Sequence, residues 1–258
     1  NGSEPGYFLI DTGGSEVILD DEFAKSVGAP DFGAETGTFA GGQRAPVHQS
    51  SIESLQLGEL EVRNVPAHIL STRRFSAVAQ GKRVDGILGT ILFYHFRTTL
   101  DYRTGELILE RRTGQAASPP AGAVVMPFWM AGDHLMLAWG RMNGAGPFLW
   151  FVDTGLAGPG FTGPRATITE AGIELPSQPT AQGQGGGGRV SVTPFAVAEL
   201  SLGDAAEKNI VGVFGPFPES LEMSHGFRIA GIISHQFFRR YAVTFDFDAM
   251  QLILVRSS

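Results

Sequence analysis

The chain contains an internal repeat, and this repeat constrains the fold more than any other feature of the sequence. The segment NGSEPGYFLIDTG at 1–13 matches NGAGPFLWFVDTG at 143–155, an offset of 142 residues. Two further matches, both at an offset of 145 residues, pair LQLGELEVRNV (55–65) with LSLGDAAEKNI (200–210), and 86–109 with 231–254. Because the three matches keep their order, we predict two copies of one structural unit, related by a pseudo-twofold axis.

The matches also predict where the two units begin and end. We place the first unit at 1–113, a linker with the sequence GQAASPPAGA at 114–123, and the second unit at 124–258. The second unit opens with VVMPFWMAGDHLMLAWGRM at 124–142, which predicts a pair of strands ahead of the repeated part. Nothing in the first unit matches this stretch, so we expect that unit to lack upstream strands of similar length.

Local patterns predict an all-β protein with a few short helices. Short segments that are β-branched or alternate between apolar and polar residues, bounded by Gly, Pro or Asn, predict strands in both units. Acidic residues at the start and a glycine at the end predict a short helix at 19–28, and Pro164 with Gly172 predicts its counterpart at 163–172. The aromatic segments 90–96 and 235–241 fit either a second short helix or a strand.

Composition excludes several classes of function. A net charge of −7 does not suit a nucleic-acid surface, which needs a basic field. With no cysteine, the chain has neither disulfides nor a cysteine nucleophile. The longest apolar run, 123–131, is far shorter than the roughly 20 residues of a membrane span. Six histidines show no metal-ligand spacing. We therefore predict no metal, no cofactor, no nucleic-acid partner and no transmembrane segment.

Two aspartates are the candidate catalytic groups. Asp11 and Asp153 each follow an apolar strand and begin the sequence Asp-Thr-Gly, at the same place in each unit. Two carboxyls brought close together share one proton, because both cannot easily ionise. One can then activate a water molecule while the other protonates a substrate carbonyl. A single Asp-Thr-Gly is a common turn, but two in register within a repeat favour catalysis.

On these residues the chain resembles aspartic proteases of the pepsin and retropepsin type, in particular retropepsin-like bacterial proteins with the signature FLIDTG-x-S. Gly86-Ile87-Leu88-Gly89 resembles the family's second landmark, an apolar pair followed by glycine. In the second unit, Gly231-Ile232-Ile233-Ser234 matches except that Ser234 replaces the last glycine. The resemblance covers nearly the whole chain.

The resemblance implies a bilobal acid-protease fold in which each lobe contributes one aspartate of a catalytic dyad, Asp11 and Asp153, and in which a monomer suffices. It also implies a peptide or protein substrate, closed under glycine-containing hairpin flaps. The residues that it places around the dyad are Thr12, Gly13, Thr154, Gly155, Gly86 and Gly231. Those that it places in the flaps are Phe39, Gly41, Gly42, Gly185 and Gly186.

The chain departs from the family pattern in ways that leave alternatives open. Gly14 and Leu156 stand where pepsin-like enzymes usually have a hydroxyl side chain, so we expect the dyad to titrate at higher pH than in pepsin. Leu156 and Ser234 in the second unit would also suit a non-catalytic peptide-binding module on the same fold. A self-processing protease is a further alternative. Since such proteins are often exported, we expect an extracytoplasmic location.

Overall fold

Strands form most of the regular structure. The computed structural model of the protein describes residues 1–39, 43–77, 79–185, 188–217 and 219–256. Nineteen strands and five short α-helices lie in this part of the chain, so the predicted all-β class with a few helices is confirmed. None of the helices described has the length and apolar character needed to cross a membrane.

The first repeat forms eight strands, two α-helices and one 3₁₀ helix. Its strands are β1 (Phe8–Ile10), β2 (Val17–Leu19), β3 (Ala34–Thr38), β4 (Arg44–Leu57), β5 (Leu60–Ile69), β6 (Gly86–Leu88), β7 (Phe96–Asp101) and β8 (Glu106–Arg111). Its helices are α1 (Asp21–Ser26), the 3₁₀ helix Arg73–Ala77 and α2 (Thr90–Tyr94).

The second repeat adds three strands ahead of its counterpart of β1. Its strands are β9 (Val124–Pro127), β10 (Trp129–Ala131), β11 (Leu135–Met142), β12 (Ala145–Val152), β13 (Phe161–Thr162), β14 (Ala181–Gly185), β15 (Gly188–Leu202), β16 (Ala205–Phe214), β17 (Gly231–Ile233), β18 (Tyr241–Asp246) and β19 (Gln251–Arg256). Its helices are α3 (Arg165–Glu170), α4 (Glu219–His225) and α5 (His235–Phe238).

Helices α1 and α3 form where the sequence predicted them, whereas α4 was not predicted. The Asp20 carboxylate caps α1 by accepting from the Glu22 N–H at 3.2 Å, and Gly28 ends the segment in a left-handed conformation at φ +66°. In the two aromatic segments, the helical alternative is the one that forms. A short helix, α2 or α5, is followed directly by a strand that starts at Phe96 or Tyr241.

The two repeats use the same strand pairings around their aspartates. In the first, β1 runs parallel to β6, with Phe8 opposite Gly86. In the second, β12 runs parallel to β17, with Trp150 opposite Gly231. The surrounding strands form a six-stranded sheet in the order β1-β6-β2-β5-β4-β3 and an eight-stranded sheet in the order β10-β11-β12-β17-β13-β16-β15-β14.

A third sheet joins the repeats. Its strand order is β8-β7-β18-β19-β9, so the central pair, β7 and β18, takes one strand from each repeat. Thr99 lies opposite Thr244 in this pair, and their hydroxyls are 2.7 Å apart. Since these threonines are equivalent positions of the two repeats, the pseudo-twofold axis passes between them. The main hydrophobic core is continuous across both repeats and includes Leu19, Phe93, Trp150 and Phe237.

Two repeated aspartates outside the dyad, Asp101 and Asp246, have a structural role in turns. Asp101 accepts from the Arg103 N–H at 2.9 Å, and Asp246 accepts from the Asp248 N–H at 3.0 Å. Asp246 also accepts from the N–H of Ala117 at 2.7 Å, which ties the predicted linker to the second repeat. The unit boundaries at 113 and 124 stay a prediction.

Candidate active site

Each candidate aspartate lies just beyond the end of a strand and is held there by the backbone of a neighbouring one. The Asp11 N–H donates to the carbonyl of Leu88 at 3.0 Å, and the Asp153 N–H donates to that of Ile233 at 3.1 Å. Because β1 and β12 occupy equivalent positions about the pseudo-twofold axis, the two Asp-Thr-Gly turns meet at the interface between the repeats.

Reciprocal hydrogen bonds between the two threonines lock these turns together. The Thr12 N–H donates to the Thr154 hydroxyl at 3.0 Å, and the Thr154 N–H donates to the Thr12 hydroxyl at 3.0 Å. The hydroxyls in turn donate across the interface, Thr12 to the carbonyl of Val152 at 3.0 Å and Thr154 to that of Ile10 at 3.1 Å. Both threonines are buried, so water does not compete for these four bonds.

The carboxyls of Asp11 and Asp153 lie within hydrogen-bonding reach of each other. One oxygen of each is oriented by its own turn, since the Gly13 N–H donates to Asp11 Oδ1 at 2.8 Å and the Gly155 N–H donates to Asp153 Oδ1 at 2.6 Å. Neither aspartate is fully buried. Solvent therefore reaches a carboxyl pair that the protein encloses on its other sides.

The glycines of the two turns are required by the close approach of the opposite carboxyl. A Cβ atom on Gly13 would collide with the carboxyl of Asp153, and one on Gly155 would collide with that of Asp11. The glycine of each repeat thus makes room for the aspartate of the other. This is a tertiary reason for the third residue of the motif, additional to the freedom that glycine gives a turn.

The surroundings of the two carboxyls raise the pKa of both. Burial, followed by the negative charge of Asp11, raises the pKa of Asp153 well above its ordinary value. Burial also raises the pKa of Asp11, but the Gly13 N–H, the hydrogen bond from Asp153 and the charge of His134 counteract that rise. Because a coupled pair titrates as a unit, these shifts favour a pair that keeps one proton between its two carboxyls.

Sequence reasoning missed His134, which influences Asp11 from the turn between β10 and β11. Its Nδ1 lies 2.6 Å from Asp133 Oδ1, and its ring makes an edge-to-face contact with Phe151 at 6.0 Å between centroids. Asp133 also hydrogen-bonds the Ser15 side chain just beyond the Asp11 turn. The spacing of histidines in the sequence gives no signal for this contact.

The supports behind the two turns were also missed, and they differ between the repeats. Behind the Asp11 turn, the Thr90 hydroxyl donates to the carbonyl of Thr12 at 3.0 Å and the Thr90 N–H donates to that of Gly14 at 2.9 Å. Behind the Asp153 turn, the Ser234 hydroxyl hydrogen-bonds the carbonyls of Asp153 and Leu156. The departure of Ser234 from the family pattern therefore has a structural function.

The remaining predicted residues lie farther from the dyad. Gly86 and Gly231 lie beside the strands that lead to the aspartates, opposite Phe8 and Trp150. Phe39 directly follows β3, and its N–H donates to the carbonyl of Gln43 at 2.9 Å. Gly185 ends β14, whereas Gly41, Gly42 and Gly186 lie outside the described residues.

The two predicted flap hairpins contact each other near their ends. The Gln43 side chain, at the start of the β4 arm, donates to the carbonyl of Arg189 in the β15 arm at 3.0 Å. The hairpins belong to different sheets and different repeats, so this contact joins the repeats at a place separate from the central sheet and the threonine hydrogen bonds. Among the described residues, no group of three or more histidine or acidic side chains could hold a metal ion.

Comparison with known families agrees with this geometry. A family model described as "Aspartyl protease" matches residues 1–92 and 138–236, one segment in each repeat and each with one Asp-Thr-Gly turn. The chain belongs to the aspartyl protease family. The resemblance deduced from the repeated motifs is thereby confirmed, and so is the presence of two retropepsin-like repeats in one chain.

Among solved structures, the chain is similar to a retropepsin-like aspartic protease from Rickettsia conorii. The match has 17% sequence identity and a TM-score of 0.38, and covers 52% of this chain and 100% of that one. None of the curated proteins matches the chain.

Proposed function

We propose that the protein is an aspartic endopeptidase that hydrolyses peptide bonds with a water molecule activated between Asp11 and Asp153. The observation that supports this most is the meeting of two carboxyls, one from each repeat, within hydrogen-bonding reach at a solvent-accessible interface. Membership of the aspartyl protease family supports the reaction class. Since one chain supplies both aspartates, a monomer is sufficient for this chemistry.

In the resting enzyme, one proton is shared by the pair and resides on the Asp153 side. Asp153 has the more strongly raised pKa, because of burial and the adjacent charge of Asp11. Asp11 is the ionised partner, stabilised by the Gly13 N–H and by the positive charge of His134. This division gives the pair one base and one acid at the same pH.

In the first step of the reaction, Asp11 acts as the base and Asp153 acts as the acid. Asp11 accepts a proton from the water as its oxygen bonds to the substrate carbonyl carbon, while Asp153 donates its proton to the carbonyl oxygen. The result is a neutral tetrahedral diol. Asp11 then donates its proton to the leaving nitrogen as the carbon–nitrogen bond breaks, and a diol hydroxyl returns a proton to Asp153. The pair ends as it began, and the threonine lock fixes its geometry throughout.

The two contacting hairpins would hold the substrate as an extended strand. Gly183 and Gly185 of β14 carry no side chain, so backbone groups beside them would be open to a peptide, which would pair with them as an added strand. The contact between Gln43 and Arg189 would keep the two hairpin ends together while substrate is bound. Preference for apolar side chains around the cut is an expectation from the family resemblance alone.

The decisive experiment compares the parent protein with Asp11→Asn and Asp153→Asn on a diverse peptide library from acidic to neutral pH. Mass spectrometry should detect cut products with the parent and none with either variant. Asparagine keeps a side-chain oxygen that can accept from Gly13 or Gly155, so the turns remain supported. Peptide retention without cut products from the parent would instead favour the non-catalytic binding module.

Thermal unfolding supplies the fold control for these variants. A carboxyl whose pKa is raised in the folded state loses stabilising protonation as pH rises through the interval between the unfolded and folded values. Removing the coupled charge with Asp153→Asn should therefore raise the unfolding temperature at neutral pH, and the gain should shrink below the unfolded pKa of about 4. A cleaving Asn variant that is equally stable would contradict the assignment.

A further inference from the structure

The hydrogen bonds made directly to the two aspartates are matched between the repeats. Each carboxyl accepts from the N–H of the glycine in its own turn, Gly13 or Gly155. The backbone N–H of the next residue, Gly14 or Leu156, also favours the ionised form of its aspartate. Because these donors occupy equivalent positions, they do not by themselves decide which aspartate acts as the base.

A charge beside one member of the pair breaks this match. The positive charge of His134 favours the ionised form of Asp11. Burial and the negative charge of Asp11 raise the pKa of Asp153, and backbone hydrogen bonds counteract that rise only in part. Since an opposite charge stabilises a carboxylate and a like charge destabilises it, His134 favours Asp11 as the base.

The β10–β11 turn that carries His134 is attached to both repeats beside their aspartates. Its Asp133 accepts a hydrogen bond from the Ser15 hydroxyl of the first repeat. The His134 ring packs against Phe151 of β12, with 6.0 Å between the ring centroids. Ser15 is buried, and its carbonyl accepts from the Ile91 N–H at 2.9 Å. These contacts fix the position of the imidazole relative to the pair.

Asp133 is the direct partner of this imidazole. Its Oδ1 lies 2.6 Å from Nδ1 of His134. Although burial opposes the shift, the hydrogen bond and the charge of His134 lower the pKa of Asp133. The contact therefore joins a carboxylate to an imidazolium, the form that histidine takes in mild acid. The His134 side chain is 26% exposed, so water screens its charge only in part.

Other titratable residues lie on the elements around this turn. His225 of α4 approaches it, since its Nε2 would be 3.5 Å from a Cβ on Gly132. Glu16, which follows the Asp-Thr-Gly turn of the first repeat, lies 3.7 Å from Nδ1 of His68. Asp153 directly follows β12, on which the imidazole packs. A change in pH dependence must therefore be traced to the imidazole with variants that alter its charge alone.

The second repeat has a histidine beside its own aspartate turn, but in different surroundings. His235 follows Ser234, whose hydroxyl bonds the carbonyl of Asp153. Burial, followed by the positive charge of Arg239, lowers the pKa of His235. Its ring packs against Tyr102, with 5.4 Å between the ring centroids. His235 therefore loses its proton at lower pH than an ordinary histidine, which makes it a weaker source of positive charge.

We propose that His134, held by Asp133, is a positioning residue that gives Asp11 the role of base and sets the acidic limit of peptide cleavage. Its imidazolium stabilises the ionised Asp11, so the pair keeps its working form, with one proton, to lower pH than it would without the cation. When the pair takes up a second proton, the base is lost and cleavage stops. The inference rests on the proposed peptidase activity and adds the residue that fixes its acidic range.

The pH dependence of kcat/KM tests the proposal with two replacements of His134, measured on a peptide that the parent cleaves. His134→Gln removes the charge but keeps a polar side chain, and should move the acidic limb to higher pH by about 0.5–1 pH unit. His134→Lys keeps a positive charge and should leave the limb close to that of the parent. In both variants the maximum of kcat/KM should stay within about threefold of the parent value.

His48→Gln is the matched control for the loss of a histidine charge. His48 also pairs with an aspartate, since its Nδ1 lies 2.9 Å from Asp31 Oδ2, but this pair is exposed. The control should leave the acidic limb in place. An unmoved limb in His134→Gln, or equal shifts in the Gln and Lys variants of His134, would overturn the proposal, because packing rather than charge would then be responsible.

A direct titration separates this proposal from the proposed peptidase activity. Carbon-13 NMR of the aspartate carboxyls follows the pair without turnover, and the Asp11→Asn and Asp153→Asn variants assign its signals. The lower-pH step of the pair should rise by about 0.5–1 pH unit in His134→Gln and stay in place in His134→Lys. An unmoved step would overturn the proposal even if the parent cleaves peptides. A shifted step without any cleavage by the parent would refute the peptidase and retain the effect of His134 on Asp11.

Discussion

The Asp11 and Asp153 turns are identical in the residues that face each other and different in the residues that support them. Aspartate, threonine and glycine recur in both, with the same four hydrogen bonds across the interface. Behind them, Thr90 supports one turn and Ser234 the other.

This comparison teaches that the repeats are constrained where they meet and free where each faces its own core. A change in one interface residue is felt by the opposite repeat. A change behind a turn can be compensated within its own repeat. Four predictions test this division, beginning with the largest expected effect.

Gly13→Ala and Gly155→Ala should reduce activity most, and by similar amounts. Each added Cβ collides with the carboxyl of the opposite repeat, and displacing a reacting group by about 1 Å can cost on the order of 100-fold in rate. The measurement is kcat/KM on a peptide that the parent cleaves. Gly14→Ala is the matched control, because the nearest atom to its Cβ would be 4.0 Å away. A large loss of kcat/KM in only one of these two variants would contradict the equivalence of the two turns.

Gly89 and Ser234 are equivalent residues behind the two turns, and exchanging one for the other should cost different amounts of stability. Gly89→Ser places a Cβ against the carbonyls of Ser15 and Glu16, so we expect a loss of stability of about 1–3 kcal/mol from overpacking. Ser234→Gly removes one hydroxyl that bonds two carbonyls, with an expected cost of about 0.5–1.5 kcal/mol. Urea unfolding of both variants measures which one loses more stability. Equal losses of stability would contradict the inference that the two repeats support their turns by different contacts.

Thr12→Val and Thr154→Val should destabilise the protein equally, each by about 1–3 kcal/mol. Each change keeps the side-chain shape but removes one donor and leaves the backbone N–H of the opposite threonine without its acceptor in a buried site. Denaturant unfolding gives the free energies. A double variant should cost less than the sum of the single variants, because the hydrogen bonds are shared.

Gly14→Ser should have the smallest effect, a shift in pH dependence without loss of fold. A hydroxyl beside the Asp11 turn stabilises the ionised carboxyl and lowers its pKa. The acidic limb of the kcat/KM profile should then move to lower pH. Gly14→Ala should leave the limb in place, since it adds bulk without a donor. An equal shift in both variants would attribute the change to packing instead.

Some of the fold and of the candidate site could be predicted because their signals are local. The Asp-Thr-Gly turns follow apolar strands that the sequence makes recognisable, and their repetition predicted that they would meet. Helix α1 was predictable from its acidic first turn and Gly28. By contrast, no local pattern predicted α4, which runs from Glu219 to His225.

Other parts could not be predicted because they depend on contacts between distant residues. The influence of His134 on Asp11 arises only because the β10–β11 turn folds against the other repeat. The hairpin contact of Gln43 with Arg189 joins residues that no local pattern relates. In the sequence, Ser234 is only a departure from the family motif, whereas in the structure its hydroxyl bonds two carbonyls of the Asp153 turn.

By itself, the sequence determined the two-copy architecture, the strand-rich class and the identity of the paired aspartates. The internal repeat, the alternation of apolar and polar residues, and the turn-forming residues can all be recognised from the order of amino acids alone. The tertiary structure alone decided how the two carboxyls are brought together, why each glycine must lack a side chain and which residue supports each turn from behind. These depend on distances between atoms far apart in the chain, which only the packing of one repeat against the other defines.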